Sequence, residues 1–255
     1  MGNTNKYVVI KYDKELYVRL QDYGARHLPE EEQKKVMKIQ NAFLPKEERD
    51  FIKQEWVASG RVQFLAKLPQ ETHREFLATY IPENIKNLLE VGCAQGMYLE
   101  LYTKLRPEID FTGLDQNINL VKTAVGRGFN VIEGDMHDMP FEDNSFDCIM
   151  SCDVFEHSMD PNKLLGECRR IVREDGWLVF AVPPDARVPA AWWNNPEHCW
   201  KTDMPDVYRR LEKAGFEIEH MIEYSLSQFS RAHPPSGGCE ILFIARPKKL
   251  ARPKK

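Results

Sequence analysis

The sequence predicts an α/β protein with a doubly wound, mostly parallel sheet of seven strands. From residue 87 onward, apolar runs of strand length alternate with amphipathic runs of helix length, which is typical of a parallel sheet covered on both faces. The last apolar run, 239–245, follows the loop 225–238, which carries no helical pattern. Because a parallel connection normally needs a helical crossover, we expect this final strand to be antiparallel to its neighbour.

The boundaries of two helices are especially clear in the sequence. Asp160 and the proline after it supply an N-cap and a first-turn residue for one helix, and Gly176 follows its end. Asp203 or Asp206 can cap the next helix, and Gly215 follows it. The predicted strands span 87–92, 110–115, 129–134, 146–152, 177–182, 216–224 and 239–245, and the predicted helices span 96–105, 118–125, 161–173 and 204–214.

Residues 1–85 lack this alternation and are predicted to form a helical N-terminal extension. Acidic residues follow Pro29, Pro45 opens a second candidate helix, and a third pattern spans roughly 61–80. These helices either pack beside the main domain or act as a lid over its site. The main domain is expected at 86–246, followed by a basic, flexible tail at 247–255 in which Arg-Pro-Lys-Lys occurs.

The composition is that of an ordinary soluble protein. The 255 residues are 42% hydrophobic and 29% charged, with a formal net charge of −4, so nothing global favours a nucleic-acid or membrane partner. No apolar run approaches the roughly 20 residues that cross a bilayer, and the N-terminus has no signal-peptide pattern. The six cysteines show no Cys-x-x-Cys spacing, which favours reduced thiols in a cytoplasmic protein.

Four predicted strands end in residues suited to binding a nucleoside. In doubly wound sheets, ligands bind at the carboxyl ends of the strands, where the strand order reverses. Glu90 ends the first strand, before a turn that Gly92 and Gly96 bracket and that the backbone can bring close to a ligand. Asp115 ends the second strand, where a carboxylate can accept both hydroxyls of a ribose.

The third and fourth strand ends extend the same pattern. Asp135 and Met136 follow the third strand and suit the edge of an adenine ring. Cys152 and Asp153 end the fourth strand. An acid at one strand end is often only a helix cap, but acids at four successive ends together predict a nucleoside site.

The glycine spacing separates two classes of cofactor. A nicotinamide dinucleotide site requires Gly-x-Gly-x-x-Gly, whereas this turn reads Gly92-x-Ala94-x-Gly96 and lacks the third glycine. Glu90 is poorly placed beside a pyrophosphate but suits a cationic amino-acid cofactor. A sulfonium cofactor is therefore favoured over a dinucleotide.

These segments closely resemble the class I S-adenosylmethionine-dependent methyltransferases, in the small-molecule branch often called type 11 or type 23. The resemblance covers roughly residues 85–245, and it implies a seven-stranded sheet with an antiparallel last strand and S-adenosylmethionine as the cofactor. The motifs that carry it are Leu89–Gly96, Gly113–Asp115, Glu133–Met136, Met139–Asp147 and Phe155–His157.

The resemblance also implies a role for each site residue. Gly92 and Gly96 bracket the turn under the methionine part, Asp115 holds the ribose, and Asp135 with Met136 flanks the adenine. Asp153, or the backbone near Cys152, meets the methionine amino group. Ala94 replaces a glycine that is common in the family, and Cys93 is a small packing residue. The predicted cofactor-binding residues are Glu90, Gly92, Cys93, Ala94, Gly96, Asp115, Gln116, Asp135, Met136, Cys152 and Asp153.

Two histidines and three tryptophans are candidates for the acceptor side. His157 and His198 are the candidate catalytic residues: His157 acts either as a base or in a structural or orienting role, and His198 is a second candidate. Trp192, Trp193 and Trp200 lie in a proline-rich segment, where they either stack on a sugar or ring or pin the loop to the core. The seven histidines show no metal-ligand spacing, so no metal site is predicted.

The sequence therefore predicts an S-adenosylmethionine-dependent methyltransferase acting on a small-molecule or sugar-like acceptor, at oxygen. Transfer is expected to be direct, and alignment and exclusion of water are its main demands because the sulfonium is already a good leaving group. The alternatives are the same fold with a protein or nucleic-acid acceptor, a non-catalytic cofactor-binding partner protein, and a nicotinamide oxidoreductase. Net charge and the missing Asn-Pro-Pro-Tyr after the fourth strand argue against nucleic acid.

Overall fold

The computed structural model of the chain describes residues 62–68, 77–183, 198–226 and 239–249. These residues form a sheet flanked by four helices and one short 3-10 turn, Phe155–His157. The helices are α1 Met97–Leu105, α2 Ile118–Gly126, α3 Pro161–Ile171 and α4 Met204–Lys213. The strands are β1 Val62–Leu68, β2 Asn87–Val91, β3 Asp110–Asp115, β4 Val131–Glu133, β5 Phe146–Cys152, β6 Val172–Val182, β7 Phe216–Leu226 and β8 Cys239–Pro247.

The sheet has eight strands in the order β1-β7-β8-β6-β5-β2-β3-β4. Strand β8 is antiparallel to both of its neighbours, β6 and β7, and every other pair is parallel. The predicted α/β fold, its doubly wound sheet and its antiparallel last strand are confirmed. The strand order reverses between β2 and β5, and this is the place where such sheets bind their ligands.

Alternate residues of the central strands enter two separate cores, one on each face of the sheet. Leu89 packs with the helices α3 and α4 on one face, whereas its neighbour Leu88 packs with α1 and the segment 77–85 on the other. Leu178 and Val179 divide in the same way. Burial on both faces explains why the predicted strands are almost continuously apolar.

Most of the predicted helix boundaries are confirmed. The Asp160 side chain accepts a hydrogen bond from Lys163 N at 3.0 Å and so caps α3, and Gly215 follows α4 with a φ of +89°. Gly176 is a correction, because α3 ends at Ile171 and Gly176 lies inside β6. A Cβ on Gly176 would lie 2.8 Å from the carbonyl oxygen of Asp147, so the glycine permits close strand packing rather than capping the helix.

Strand β1 corrects the prediction for the N-terminal segment. The helical pattern expected over 61–80 is wrong at Val62–Leu68, which pairs in parallel with β7 and adds an eighth strand to the seven predicted. The outer edge of β7 offers unpaired backbone groups that this segment satisfies, and such pairing overrides a local helical periodicity. The other helices predicted before residue 77 and the last residues of the basic tail, 250–255, lie outside the described residues.

None of the described helices is long and apolar enough to cross a bilayer.

Candidate functional site

A cavity of about 390 Å³ lies at the carboxyl ends of β2, β3 and β5, where the strand order reverses. This volume falls within the range of about 300–1,000 Å³ that is usual for small-molecule sites. The predicted site residues on its wall are Gly92, Cys93, Ala94, Asp115, Gln116, Met136, Cys152, Asp153 and His157. The predicted site residues that lie off its wall are Glu90, Gly96, Asp135, His198 and Trp200, whereas Trp192 and Trp193 lie outside the described residues.

The turn after β2 has a path that only glycine permits at two positions. Gly92 and Gly96 have φ values of +74° and +80°, in the left-handed region that other residues rarely adopt. A Cβ on Gly92 would lie 2.2 Å from Val154, and one on Gly96 would lie 2.7 Å from the ring of Phe129. The turn is therefore packed from behind, and its backbone forms one wall of the cavity.

Asp115 fixes the other side of this turn. Its Oδ2 accepts a hydrogen bond from Ala94 N at 2.8 Å, and its Oδ1 accepts one from Asn117 N at 2.9 Å. Burial raises the pKa of this carboxyl, although the backbone bonds from Asn117 and Ala94 oppose the shift. Each carboxylate oxygen has a further lone pair, so Asp115 can accept two more hydrogen bonds from a ligand in the cavity.

Gln116, the next residue, has a buried amide that no group among the described residues satisfies. Neither Oε1 nor Nε2 has a hydrogen-bond partner within the described part of the chain. Leaving such groups unsatisfied costs about 1–3 kcal/mol each, and Gln116 lines the cavity. A ligand that carries both donors and acceptors, such as an adenosine group, fits this wall.

The charge of the cavity wall is negative. Asp115 and Asp153 line it, and no lysine or arginine does so among the described residues. Glu90 lies behind the turn, buried in β2, and with Asp115 it adds to burial in raising the pKa of the Cys93 thiol well above its ordinary range. Cys93 is therefore a neutral packing residue, and the wall suits a cationic ligand rather than a pyrophosphate.

Tyr98 of α1 is a wall residue that the sequence did not single out. Its hydroxyl donates to Cys152 Sγ at 3.3 Å, and the Cys152 thiol donates to Asp153 Oδ2 at 3.5 Å. Burial raises the pKa of both Tyr98 and Cys152, so both stay protonated at neutral pH. Asp153 has a φ of +54°, an uncommon conformation for a residue other than glycine, and this turns the chain at the cavity edge.

Asp135 is buried in a hydrogen-bonded network behind the cavity. Its Oδ1 lies 2.8 Å from both the backbone N and Nδ1 of His137, and His137 Nε2 lies 2.8 Å from Ser158 Oγ. These three side chains are linked in the same order, Asp–His–Ser, as in a hydrolase triad. Ser158 and His137 are fully buried, however, and Asp135 is only 6% exposed, so a substrate cannot reach the serine. The network therefore fixes the turn after β4, and of the two predicted adenine neighbours Met136 is the one on the cavity wall.

We expect Ser158→Ala to lower the free energy of unfolding by about 1–3 kcal/mol, because it leaves a nitrogen of the buried His137 without its hydroxyl partner. Urea unfolding of the two proteins measures the difference. Ser145→Ala is a matched control, since the Ser145 hydroxyl bonds the Glu142 carbonyl at an exposed site, where a change within about 0.5 kcal/mol is expected. Equal effects of the two substitutions would contradict a structural role for the network.

His157 and His198, which are far apart in sequence, lie together at the edge of the cavity. Their ring centroids are 5.0 Å apart and their planes are perpendicular. His157 lines the cavity, whereas His198 is 6% exposed and lies behind it. Both residues that the sequence proposed as catalytic therefore lie at one place, at the edge of the cavity.

Trp200 is a core residue in this structure. Its side chain is 3% exposed, and its indole Nε1 donates to Asp206 Oδ2 at 2.7 Å. The guanidinium of Arg210 lies over the ring at 5.8 Å. The structure thus places Trp200 against α4, away from the cavity wall, in agreement with the alternative that it pins its loop to the core.

The chain is similar in sequence to known proteins. Residues 89–180 match the family described as "Methyltransferase domain". The chain is 32% identical over 108 residues to a demethylmenaquinone methyltransferase from Thermotoga maritima, covering 41% of this chain and 47% of the relative. It is 29% identical over 119 residues to a phthiotriol/phenolphthiotriol dimycocerosates methyltransferase from Mycobacterium ulcerans, covering 45% of this chain and 44% of the relative.

Among solved structures, the fold is similar to a SAM-dependent methyltransferase from Aquifex aeolicus. The TM-score is 0.54 at 19% identity, covering 68% of this chain and 88% of that one. This likeness concerns the fold. The chain spans about half the length of the two curated relatives that it matches.

The sheet order, the glycine turn and the matched segment together define a class I S-adenosylmethionine-dependent methyltransferase domain. The resemblance that the motifs predicted is confirmed for the part of the chain that carries them. S-adenosylmethionine is the methyl donor of this class, which confirms the predicted cofactor at the level of the domain.

Proposed function

We propose that this chain transfers a methyl group from S-adenosylmethionine to a small-molecule or sugar-like acceptor, at an oxygen atom. The observation that carries the proposal is the cavity at the strand-order reversal, whose wall combines a glycine turn, two carboxylates and a buried amide that the described part of the chain leaves unsatisfied. The two relatives described above are named for methyl transfer to small molecules, which supports the acceptor class.

The described residues fit the cofactor part by part. Asp115, Met136 and Gln116 all line the cavity, where Asp115 would accept hydrogen bonds from the ribose hydroxyls and the other two would flank the adenine. The negative wall at Asp153, with the backbone near Cys152, is placed to bind the methionine amino group. When bound, S-adenosylmethionine supplies a methyl group on a positively charged sulfur.

The protein's contribution to the reaction is alignment and exclusion of water. The cationic leaving group needs no protonation, so the wall has only to hold acceptor and donor in line. His157 lies on the wall with His198 beside it, where the two can orient an acceptor hydroxyl or accept its proton. A base is useful for a hydroxyl acceptor, which is why both residues are proposed for the acceptor side.

A nucleic-acid acceptor is less well matched to the described surface. The cavity wall there carries two aspartates and no lysine or arginine, which disfavours a phosphate backbone beside the methyl donor. We also propose a cytoplasmic location. It is supported by Cys93, Cys148, Cys152, Cys168 and Cys199, which are free thiols in the structure.

The proposal is tested in two steps. Isothermal titration with S-adenosylmethionine, its demethylated product and NAD is expected to show binding of the first two and none of the third. The chain is then incubated with methyl-labelled S-adenosylmethionine and a cell extract, and we expect label in the small-molecule fraction. Binding of NAD alone would overturn the cofactor, and label confined to protein or RNA would overturn the acceptor class.

A further inference from the structure

We propose that Glu156, His157 and His198 form a binding site for a divalent transition-metal ion at the acceptor end of the cavity. One oxygen of Glu156 and one ring nitrogen from each histidine all lie within 4.8 Å of one another. Metal bonds to such atoms are about 2.0–2.2 Å long, so two ligands of one ion lie at most about 4.4 Å apart and the cluster contracts when it binds an ion.

The burial of the cluster favours a cation between its members. Glu156 is 1% exposed and His198 is 6% exposed. Burial of a carboxylate costs less beside a positive charge. A divalent ion bound to the three ligand atoms supplies such a charge.

The donor set selects the class of ion. Two imidazole nitrogens and one carboxylate oxygen form the ligand combination that binds zinc, manganese or ferrous iron, whereas calcium and magnesium prefer sites built from oxygen atoms. Three protein ligands leave at least one coordination position for another molecule. Because His157 also lines the cavity, that position lies next to the space for the methyl donor and acceptor.

Local structure holds the three ligands in place. Glu156 and His157 occupy the 3-10 turn that follows β5. The backbone N of Trp200 donates to the carbonyl oxygen of Glu156 at 2.7 Å and so anchors the segment that carries His198. The Trp200 indole is itself fixed by its bond to Asp206. The cluster is thus assembled by backbone contacts, which explains why no ligand spacing is visible in the sequence.

The chemical role of the ion rests on the proposed function, although its binding does not. A hydroxyl acceptor bound to the open position would have its pKa lowered and would lose its proton to solvent more readily. The oxygen would then attack the methyl carbon, forming a C–O bond as the C–S bond breaks and its electron pair stays on sulfur. The acceptor class follows from this geometry: a small molecule whose hydroxyl oxygen can coordinate a metal ion.

The test uses the purified chain after removal of metals with a chelator. Titration with Zn²⁺, followed by calorimetry, and with Co²⁺, followed by visible absorption, is expected to show one ion per chain. Loss of a residue that only hydrogen-bonds to a metal ligand weakens metal binding roughly 10–100-fold. Glu156→Gln and His157→Ala each remove a proposed ligand, so each should weaken ion binding by more than this. His220→Ala removes an exposed histidine of β7 and should bind as the unaltered chain does.

Thermal melting of each variant without metal shows whether it is folded. Glu156 is deeply buried, so Glu156→Gln can fail to fold; in that case the result for His157→Ala decides the test. Absence of binding by the unaltered chain, or equal affinity in the two cluster variants and His220→Ala, would overturn the site. S-adenosylmethionine affinity is measured on the same samples. Ion binding without cofactor binding would refute the proposed function alone, and cofactor binding without ion binding would refute the metal site alone.

Discussion

Asp115→Asn is expected to weaken S-adenosylmethionine binding by at least about 100-fold. The carboxylate can accept hydrogen bonds from both ribose hydroxyls. The amide can keep only one of these two bonds, and that bond is no longer charge-assisted; each charge-assisted bond contributes about 1.5–3 kcal/mol. The amide also places an NH₂ group against a backbone N–H, because Oδ2 and Oδ1 of Asp115 already accept from Ala94 and Asn117. Isothermal titration measures the loss.

Asp110→Asn is the matched control, since Asp110 lies at the opposite end of the same strand and is exposed. We expect it to bind the cofactor as the unaltered chain does. Unchanged affinity in Asp115→Asn would remove the ribose assignment.

The same carboxylate predicts how cofactor binding depends on pH. Burial raises the pKa of Asp115 above 3.8, so protonation competes with cofactor binding at a higher pH than for an exposed aspartate. Affinity should be constant near neutrality and fall as the pH drops through the raised pKa, and the fall should be absent in Asp115→Asn. For folding the sign is opposite: the raised pKa contributes stability at low pH, and this is lost as the pH rises.

Gly92→Ala is expected to lower the free energy of unfolding by about 2–5 kcal/mol and to abolish cofactor binding. The left-handed φ of +74° costs a residue with a Cβ about 1–2 kcal/mol. The added methyl group would also lie 2.2 Å from Val154, and such overpacking costs about 1–3 kcal/mol more. Denaturant unfolding and isothermal titration measure the two effects.

Two further variants separate the causes. Ala94→Gly, in the same turn at a φ of +47°, should keep or slightly raise stability, because it relieves the left-handed conformation without adding atoms. Val154→Ala combined with Gly92→Ala should recover the steric part of the loss and leave the conformational part. If Gly92→Ala unfolds like the unaltered chain, the turn does not need glycine at this position.

The fold was predictable wherever local pattern decides structure. Burial on both faces makes the central strands continuously apolar, and Asp160 and Gly215 mark helix ends by local chemistry, so these elements were placed to within a few residues. Strand β1 was not predictable in this way. Its pairing depends on the free edge of β7, which is encoded more than a hundred residues later in the chain.

The candidate site was predictable to the same extent. Gly92 and Asp153 directly follow strands and Asp115 ends one. Because parallel strands bring their carboxyl ends to one edge of the sheet, the meeting of these residues at one cavity followed from their order alone. Side-chain partners did not follow from order. His137 pairs with Asp135 and Ser158, and Trp200 packs against α4, because of contacts that only the packed domain makes.

The sequence by itself determined the class of domain and brought part of the predicted site residues to the wall of one cavity, because glycine conformation, apolar periodicity and the order of strand ends are local properties. Only the tertiary structure decided that Glu156, His157 and His198 meet at the edge of that cavity. Their proximity results from a backbone bond between segments distant in sequence and from the burial of Trp200 beside them. Contacts of this kind are set by tertiary packing, and residue spacing along the chain does not predict them.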